Sequence, residues 1–135
     1  TRNHGDIPVQ AEKFVLATGS FFSNGLASDI DHIYEPLLNL NLTETLPRRE
    51  WTSADLFARQ RYLEAGVATD KHLHPADAHG TITNMYAAGA VLGGYNPLQE
   101  GCGAGVSLVT AMYAAEQILA QIGAGSTMPV TEAQV

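Results

Sequence analysis

A glycine-rich segment in the last third of the chain has the composition best suited to chemistry. Residues 101–105 are Gly-Cys-Gly-Ala-Gly, and an apolar stretch at 106–122 with helical periodicity follows them. The first N–H groups of a helix have no partner inside the helix, and the helix dipole favours negative charge there. Glycines let a phosphate, or the carbonyl-rich ring of a cofactor, approach these groups closely. The segment predicts a backbone cradle for a cofactor; the alternative is a flexible connection before a packing helix.

Two apolar segments that close on glycine are the elements that must position this cradle. The first, residues 12–17, closes on Gly19; the second, residues 84–92, is ended or kinked by Gly89. Their apolarity is continuous rather than alternating, which is typical of parallel strands covered on both faces. The helix at 106–122 carries a broad apolar face that would pack on such a sheet. We therefore predict an α/β fold with a long C-terminal helix.

The middle of the chain carries weaker signals. Residues 34–42 are apolar and predict an extended segment, at a sheet edge because Pro36 lacks an N–H group. Residues 53–59 predict a short helix with Ser53 as its N-cap. Residues 93–105 contain five glycines, which favours an irregular loop over a helix or strand.

Composition limits the classes of protein to consider. The 135 residues fit one domain, assigned to residues 1–124, with Gly123 as a helix C-cap and 125–135 as a polar tail. A net charge of −7 argues against general nucleic-acid binding. The single cysteine, Cys102, excludes an internal disulfide and fits a reducing, cytoplasmic compartment. No apolar run approaches the length that spans a bilayer.

Four side chains between residues 72 and 79 have the chemistry of metal ligands. His72, His74, Asp77 and His79 lie close together in the sequence, and imidazole and carboxylate groups bind divalent metals. The segment also contains Pro75 and is polar, which favours a loop with solvated histidines. We therefore assign no metal site.

Cys102 and two arginines are further candidates for chemistry. A thiol at a helix N-terminus is a candidate nucleophile, but no partner base or second cysteine accompanies Cys102, so a small packing residue is the favoured interpretation. Arg59 and Arg61 could bind a substrate phosphate, whereas a solvated helix face is the simpler interpretation. The residues alone therefore identify no catalytic acid or base.

Three segments of the chain resemble known flavoproteins. Residues 14–19, Phe-Val-Leu-Ala-Thr-Gly, resemble the strand ending in Ala-Thr-Gly that many flavoproteins share. Residues 86–90, Tyr-Ala-Ala-Gly-Ala, are similar to their late motif, Tyr-Ala-x-Gly-Asp. The longer run at 86–106 closely resembles the B subunit of the bacterial anaerobic glycerol-3-phosphate dehydrogenases, and residues 17–23 and 66–70 resemble earlier segments of that family.

The resemblance implies a fold and a function. The fold implied is the C-terminal part of a Rossmann-like flavin-binding domain. The function implied is oxidation of glycerol 3-phosphate to dihydroxyacetone phosphate, with electrons passing through FMN, or alternatively FAD, to a membrane quinone and on to fumarate or nitrate. The implied partners are the catalytic A subunit and an iron–sulfur C subunit that ties the cytoplasmic enzyme to the inner membrane. The implied flavin contacts, mostly through backbone, are Gly19, Gly89, Ala90, Gly101, Gly103 and Gly105.

The chain departs from the flavoprotein pattern in two places. Ala90 stands where the late motif has an acidic residue, so the carboxylate expected on the ribityl chain is absent. The Gly-x-Gly-x-x-Gly segment is also absent, so the chain is expected to be the C-terminal third of the subunit. Two alternatives follow: a non-catalytic fragment that self-associates, and an FAD-dependent oxidoreductase for another substrate.

Overall fold

The two strands that close on glycine lie side by side in a computed structural model, which describes residues 10–125. In chain order the strands are β1 (Phe14–Leu16), β2 (Ala27–Ser28), β3 (Ile33–Tyr34), β4 (Ala76–Asp77), β5 (Gly80–Thr81) and β6 (Met85–Ala87). The α-helices are α1 (Pro97–Glu100) and α2 (Gly103–Gly125). Short 3-10 turns occupy Phe21–Ser23, Arg48–Glu50, Arg61–Glu64 and Gly89–Val91.

The central feature is the parallel pair of β1 and β6. Phe14 lies opposite Met85, and the register continues to the ends of both strands. The second edge of β6 is covered by a loop, because the Ala87 N–H donates to the Leu73 carbonyl at 2.9 Å. The strands β2 with β3 and β4 with β5 form short antiparallel hairpins. The parallel pairing agrees with the α/β class predicted from continuous apolarity.

The core lies beside this pair. The Val67 N–H donates to the Val91 carbonyl at 2.8 Å, and the Gly93 N–H donates to the Val67 carbonyl at 3.3 Å. Val67 thereby joins the middle of the chain to the segment after β6. The buried side chains that pack together here are Leu16, Leu40, Val67, Ala87 and Val91.

The turn after β1 is closed by two glycines. Gly19 has a φ of +84°, a conformation that favours glycine. A Cβ on Gly25 would lie 1.8 Å from the Gly19 carbonyl oxygen, so the two backbones touch. The Gly25 N–H donates to the Ser20 carbonyl at 2.9 Å and completes the turn. This turn fixes where the chain leaves β1.

Two predictions for the middle of the chain are wrong. The extended segment predicted at 34–42 ends at Tyr34, because turns follow Glu35, whose carboxylate accepts the backbone N–H groups of Leu37 and Leu38. The helix predicted at 53–59 is a loop of turns and bends. There Asp55 accepts the Phe57 N–H at 2.9 Å, a side-chain bond that competes with helix formation.

The C-terminal helix is longer than predicted and packs on another face. It includes both Gly103 and Gly123, so the irregular loop ends earlier than residue 105 and Gly123 is not a C-cap. The face that packs inward holds small or polar residues such as Ala114, which is 1% exposed. The predicted apolar face is largely exposed: Leu108, Val109, Met112, Tyr113 and Leu119. The polar tail predicted at 125–135 lies outside the described residues, except that Gly125 ends the helix.

Among residues 10–125, Tyr86 is the largest fully buried side chain, and its hydroxyl has no partner there. Its ring packs on His74 with centroids 4.6 Å apart, and the His74 Nδ1 lies 2.8 Å from the Met85 carbonyl. The Tyr86 hydroxyl has no hydrogen-bond partner among the described residues. An unpaired buried hydroxyl costs free energy, whereas the ring contributes packing.

We therefore expect Tyr86→Phe to leave the free energy of unfolding unchanged or to raise it by about 1 kcal/mol. Tyr86→Leu is the matched control, because it also removes the hydroxyl but leaves part of the ring space empty and is expected to lower stability. Thermal denaturation of both variants measures the difference. Destabilisation by Tyr86→Phe would contradict the prediction and indicate a hydrogen bond to the hydroxyl.

Candidate functional site

The glycine-rich turn is shaped by the one-turn helix α1. The Asn96 side chain accepts the backbone N–H groups of Leu98 and Gln99 at 3.2 and 3.1 Å, and Pro97 occupies the first helical position. Gly101 then ends α1 with a φ of +62°. The chain reverses here, and α2 begins two residues later.

Glu64 holds this turn against the middle of the chain. Its carbonyl accepts the Gly94 N–H at 2.9 Å, and its carboxylate accepts the Asn96 side chain at 3.4 Å. Arg59 donates to both oxygens of the same carboxylate, which is nearly buried. The hydrogen bond from Arg59 holds the pKa of the Glu64 carboxyl below its ordinary value, against the opposing effect of burial.

We therefore expect low pH to break the contact between Arg59 and the Glu64 carboxylate. A carboxyl whose pKa is lowered by folding stabilises the protein fully above its unfolded pKa of about 4.3, and that contribution is lost as the pH falls through the folded value. Glu64→Gln lacks the titrating group, so we expect the stability advantage of the wild type to be largest near neutral pH and to shrink below about pH 4. Thermal denaturation from neutral to acid pH tests this. Parallel pH curves for the two proteins would contradict it.

The Thr110 hydroxyl of α2 hydrogen-bonds the backbone just after β6, and a second hydroxyl, of Ser107, bonds within the helix. The Gly89 N–H donates to the Thr110 hydroxyl at 2.9 Å, and that hydroxyl donates to the Val106 carbonyl at 2.6 Å. The Ser107 hydroxyl donates to the Gly103 carbonyl at 3.0 Å. The amide of Gly89 is thus engaged inside the protein, and its carbonyl accepts the Leu92 N–H at 3.1 Å, which leaves its Cα to border the site.

Two neighbouring pockets lie where β1, β6 and α2 meet. They share Ala90 and Ser107, and both are mainly apolar. The smaller, of about 290 Å³, is lined by Ala17, Gly19, Ala88, Gly89, Ala90, Ser107 and Ala111. The larger, of about 330 Å³, has aromatic and aliphatic walls that include Phe21, Phe22, Leu63, Leu92, Tyr95 and Leu98.

The fold brings four of the six predicted flavin contacts to these pockets. Gly19 and Gly89 line the smaller one, Gly103 lines the larger one, and Ala90 lines both. Two others lie elsewhere: Gly101 forms the exposed C-cap of α1, and Gly105 is exposed on the first turn of α2.

Ser107 was not predicted from the sequence, although it lines both pockets. It lies four residues after Gly103, one turn along the same helix face. A helix start assigned at Gly103 rather than at residue 106 would have identified it. The aromatic wall carried no comparable signal, because Phe21 and Tyr95 are far apart in sequence.

Tyr95 is one of three residues with a hydroxyl group that line the larger pocket, with Ser20 and Ser107. Burial raises the pKa of its phenol, and the nearby Cys102 adds to the rise. The phenol therefore remains protonated near neutral pH and can donate a hydrogen bond within an apolar wall.

The other candidates for chemistry have structural partners. His72 pairs with Gln117 across 3.0 Å, and the Asp77 carboxylate accepts the His79 N–H at 2.7 Å. Arg61 donates to Glu44 and Glu50 at 2.9 and 2.7 Å. With Arg59 bound to Glu64, both arginines proposed for a substrate phosphate are paired with carboxylates. Cys102 lies 3.8 Å from the Glu100 carboxylate.

Comparison with known proteins identifies a family and a set of relatives. A family profile described as "FAD binding domain" matches residues 1–106. The curated relatives carry the name of the B subunit of anaerobic glycerol-3-phosphate dehydrogenase. The chain is 54% identical over 90% of its length to the protein from Yersinia pestis bv. Antiqua (strain Antiqua), covering 29% of that relative. It is 49% identical over 88% of its length to the protein from Pectobacterium atrosepticum, covering 28% of that relative. It is 44% identical over 90% of its length to the protein from Aliivibrio fischeri, covering 27% of that relative.

The resemblance to this B subunit inferred from residues 86–106 is therefore confirmed. The chain spans less than a third of the length of these relatives. The comparison with solved structures gave no significant match. Within residues 10–125, no helix combines the length and apolarity needed to cross a membrane.

Proposed function

Because the chain belongs to the family of FAD-binding domains, we propose that its two pockets hold the ring and ribityl chain of a flavin in a dehydrogenase subunit. One observation supports the proposal most strongly: two parallel strands that are followed by glycines meet the start of α2, beside an apolar pocket of about 330 Å³. That volume lies within the range of about 300–1,000 Å³ typical of ligand sites.

The residues fit a flavin ring. An aromatic ring suits the apolar wall formed by Phe21, Leu92 and Leu98. The first N–H groups of α2 lack partners within the helix and would donate to a ring carbonyl. Small residues at Gly89 and Ala90 leave room for close approach to the backbone. Ser107, which borders both pockets, would contact the chain that leaves the ring.

The role proposed for this chain is to position the flavin. A bound flavin supplies the hydride and electron transfer. Ala90 places no carboxylate in the apolar pocket, so the hydroxyls of Ser20, Tyr95 and Ser107 are the polar side-chain groups that would orient the ligand. FMN is the proposed form and FAD the alternative.

The proposal for the whole protein follows the names of the relatives. It is oxidation of sn-glycerol 3-phosphate to dihydroxyacetone phosphate, with electrons passed to quinone and on to fumarate or nitrate. The proposed partners are a catalytic A subunit and an iron–sulfur C subunit, which would hold the assembly in the cytoplasm at the inner membrane. The support is 54% identity to a relative of that name.

The test uses the full-length subunit, purified alone and with its partners. We expect a yellow protein whose extracted flavin co-migrates with FMN, and glycerol 3-phosphate should reduce that flavin in the assembly. A colourless protein that takes up neither FMN nor FAD would reject the flavin site. A flavin-loaded assembly that oxidises other substrates but not glycerol 3-phosphate would reject the substrate alone.

A second candidate function is that of a non-catalytic assembly module. The observation in its favour is the exposed apolar side of α2, where Leu108, Val109 and Leu119 are each more than 60% exposed. Self-association of the 135-residue chain through this side would appear as a concentration-dependent mass in sedimentation. A monomeric chain at all concentrations would exclude it.

A further inference from the structure

Two buried polar side chains lie directly behind the walls of the larger pocket. Glu64 is 8% exposed and Asn96 is 3% exposed, and neither is among the described residues that line the pocket. The residues immediately before and after each of them do line it: Leu63, Ala65, Tyr95 and Pro97. The two side chains therefore lie where two separate segments of the wall, residues 63–65 and 95–97, can be joined.

The side chains of Glu64 and Asn96 join these two segments. The Asn96 amide donates to the Glu64 carboxylate at 3.4 Å, and the Gly94 N–H donates to the Glu64 carbonyl at 2.9 Å. Glu64 and Asn96 are 32 positions apart in the sequence, so their bond is a tertiary contact and not part of a local turn.

The bond between Glu64 and Asn96 belongs to a longer series of polar contacts. On one side, Arg59 donates to both oxygens of the Glu64 carboxylate, and the Arg59 side chain is 64% exposed. On the other side, the Asn96 N–H donates to the Glu100 carboxylate at 2.8 Å. Glu100 precedes the first residue of α2 by three positions. The contacts therefore extend from an exposed arginine to the segment that leads into α2.

The energetics of these contacts favour a positioning role. A buried ion pair gives little net stability compared with apolar residues of the same volume. A hydrogen-bonded polar network instead fixes one arrangement of the groups that it joins. The Asn96 side chain is used twice, as the N-cap of α1 and as the donor to Glu64. A shift of α1 relative to residues 63–65 would break one of these bonds.

We propose that Glu64 and Asn96 are positioning residues that hold the two wall segments at the separation that a flavin ring requires. They act through the neighbouring residues that line the pocket. Without their bond the segments would separate, and a binding site that is too wide by even about 1 Å loses function. The inference rests on the proposed flavin site and names the side chains that set its width.

The test is a double-mutant cycle on FMN binding by the full-length subunit. Glu64→Gln removes the charge that Arg59 and Asn96 bind. Asn96→Ser keeps an N-cap for α1, but it is shorter and lacks the amide that donates to Glu64. We expect each single variant to bind FMN about 10-fold more weakly, and the double variant also about 10-fold rather than 100-fold, because both substitutions remove the same bond.

A spectrum and a control separate positioning from stability. The visible absorbance bands of the FMN that still binds should shift in the variants, because the ring then meets a wider pocket. Glu50→Gln is the matched control, since Glu50 also pairs with an arginine, Arg61 at 2.7 Å, but belongs to the turn at Arg48–Glu50. The control should bind FMN like the wild type, with the same spectrum. If Glu64→Gln fails to fold, Asn96→Ser decides the question alone.

Four outcomes would overturn the proposal. Wild-type affinity in the single variants, even at a lower melting temperature, would show that the bond contributes stability alone. Unchanged absorbance bands would show that the pocket around the ring is unaltered. A double variant weakened about 100-fold would show independent effects, and an equal loss in Glu50→Gln would assign the effect to charge. A wild-type subunit that takes up neither FMN nor FAD would reject the flavin site itself and this inference with it, a failure visible before any variant is measured.

Discussion

Gly25→Ala is expected to abolish the folded state or to lower the free energy of unfolding by about 4 kcal/mol or more. The added Cβ would lie 1.8 Å from the Gly19 carbonyl oxygen and 2.8 Å from the Thr18 carbonyl carbon. Both atoms belong to the backbone, which cannot rotate away as a flexible side chain can. The turn after β1 would have to open, and it borders the proposed flavin site.

The matched control is Gly105→Ala, because a Cβ at Gly105 meets no atom within 4 Å. Alanine favours helix, so this variant should be as stable as the wild type or slightly more stable. Circular dichroism and thermal denaturation distinguish the two. A cooperative transition for Gly25→Ala within roughly 2–3 °C of the wild type, or about 0.5 kcal/mol, would contradict the predicted clash.

Gly103→Leu is expected to reduce flavin affinity of the full-length subunit by about 100-fold or more, or to remove the flavin entirely, while the fold is retained. Leucine is a good helix former, and a Cβ at Gly103 would meet only the Pro97 side chain, at 3.5 Å, so α2 tolerates the side chain. Because Gly103 lines the larger pocket, the same side chain would fill space beside the first N–H groups of α2. A ligand that must reach those groups would be excluded.

Gly123→Leu is the control for this second prediction. Gly123 lies on the same helix, with open space around it, but at the opposite end. Visible absorbance of the purified variants measures bound flavin, and titration with FMN gives the affinity. Equal flavin content in both variants at unchanged melting temperature would place the ligand away from the start of α2.

Local patterns predicted the elements that depend on neighbouring residues. The apolar runs before Gly19 and Gly89 predicted β1 and β6, because buried parallel strands show continuous apolarity. The periodicity at 106–122 predicted α2. The prediction of a helix at 53–59 was wrong because the spacing of apolar residues contains no information on competing side-chain hydrogen bonds, here those of Asp55 and Gln60.

The packing of α2 illustrates a different kind of failure. The apolar face of Leu108, Val109 and Met112 was expected to lie on the sheet, since burying apolar surface is favourable. The helix instead packs through Thr110 and Ala114, because the Thr110 hydroxyl accepts the Gly89 amide and small residues allow close approach. Which face of a helix meets its neighbour depends on the partner surface, and the helix sequence alone does not specify it.

For the glycine-rich start of α2, the amino-acid sequence was enough to establish its chemical character. The glycines, the helix that follows and the resemblance to flavoproteins are all properties of consecutive residues. Tertiary packing selected which of the predicted contacts meet: Gly19, Gly89, Ala90 and Gly103 border shared pockets, whereas Gly101 and Gly105 do not. It also brought Ser107 and Tyr95 there and left Leu56 and Phe57 exposed. The sequence and the tertiary structure determine different features because periodicity and turn preference act between near neighbours, whereas a pocket is made by strands and helices that are distant in the chain.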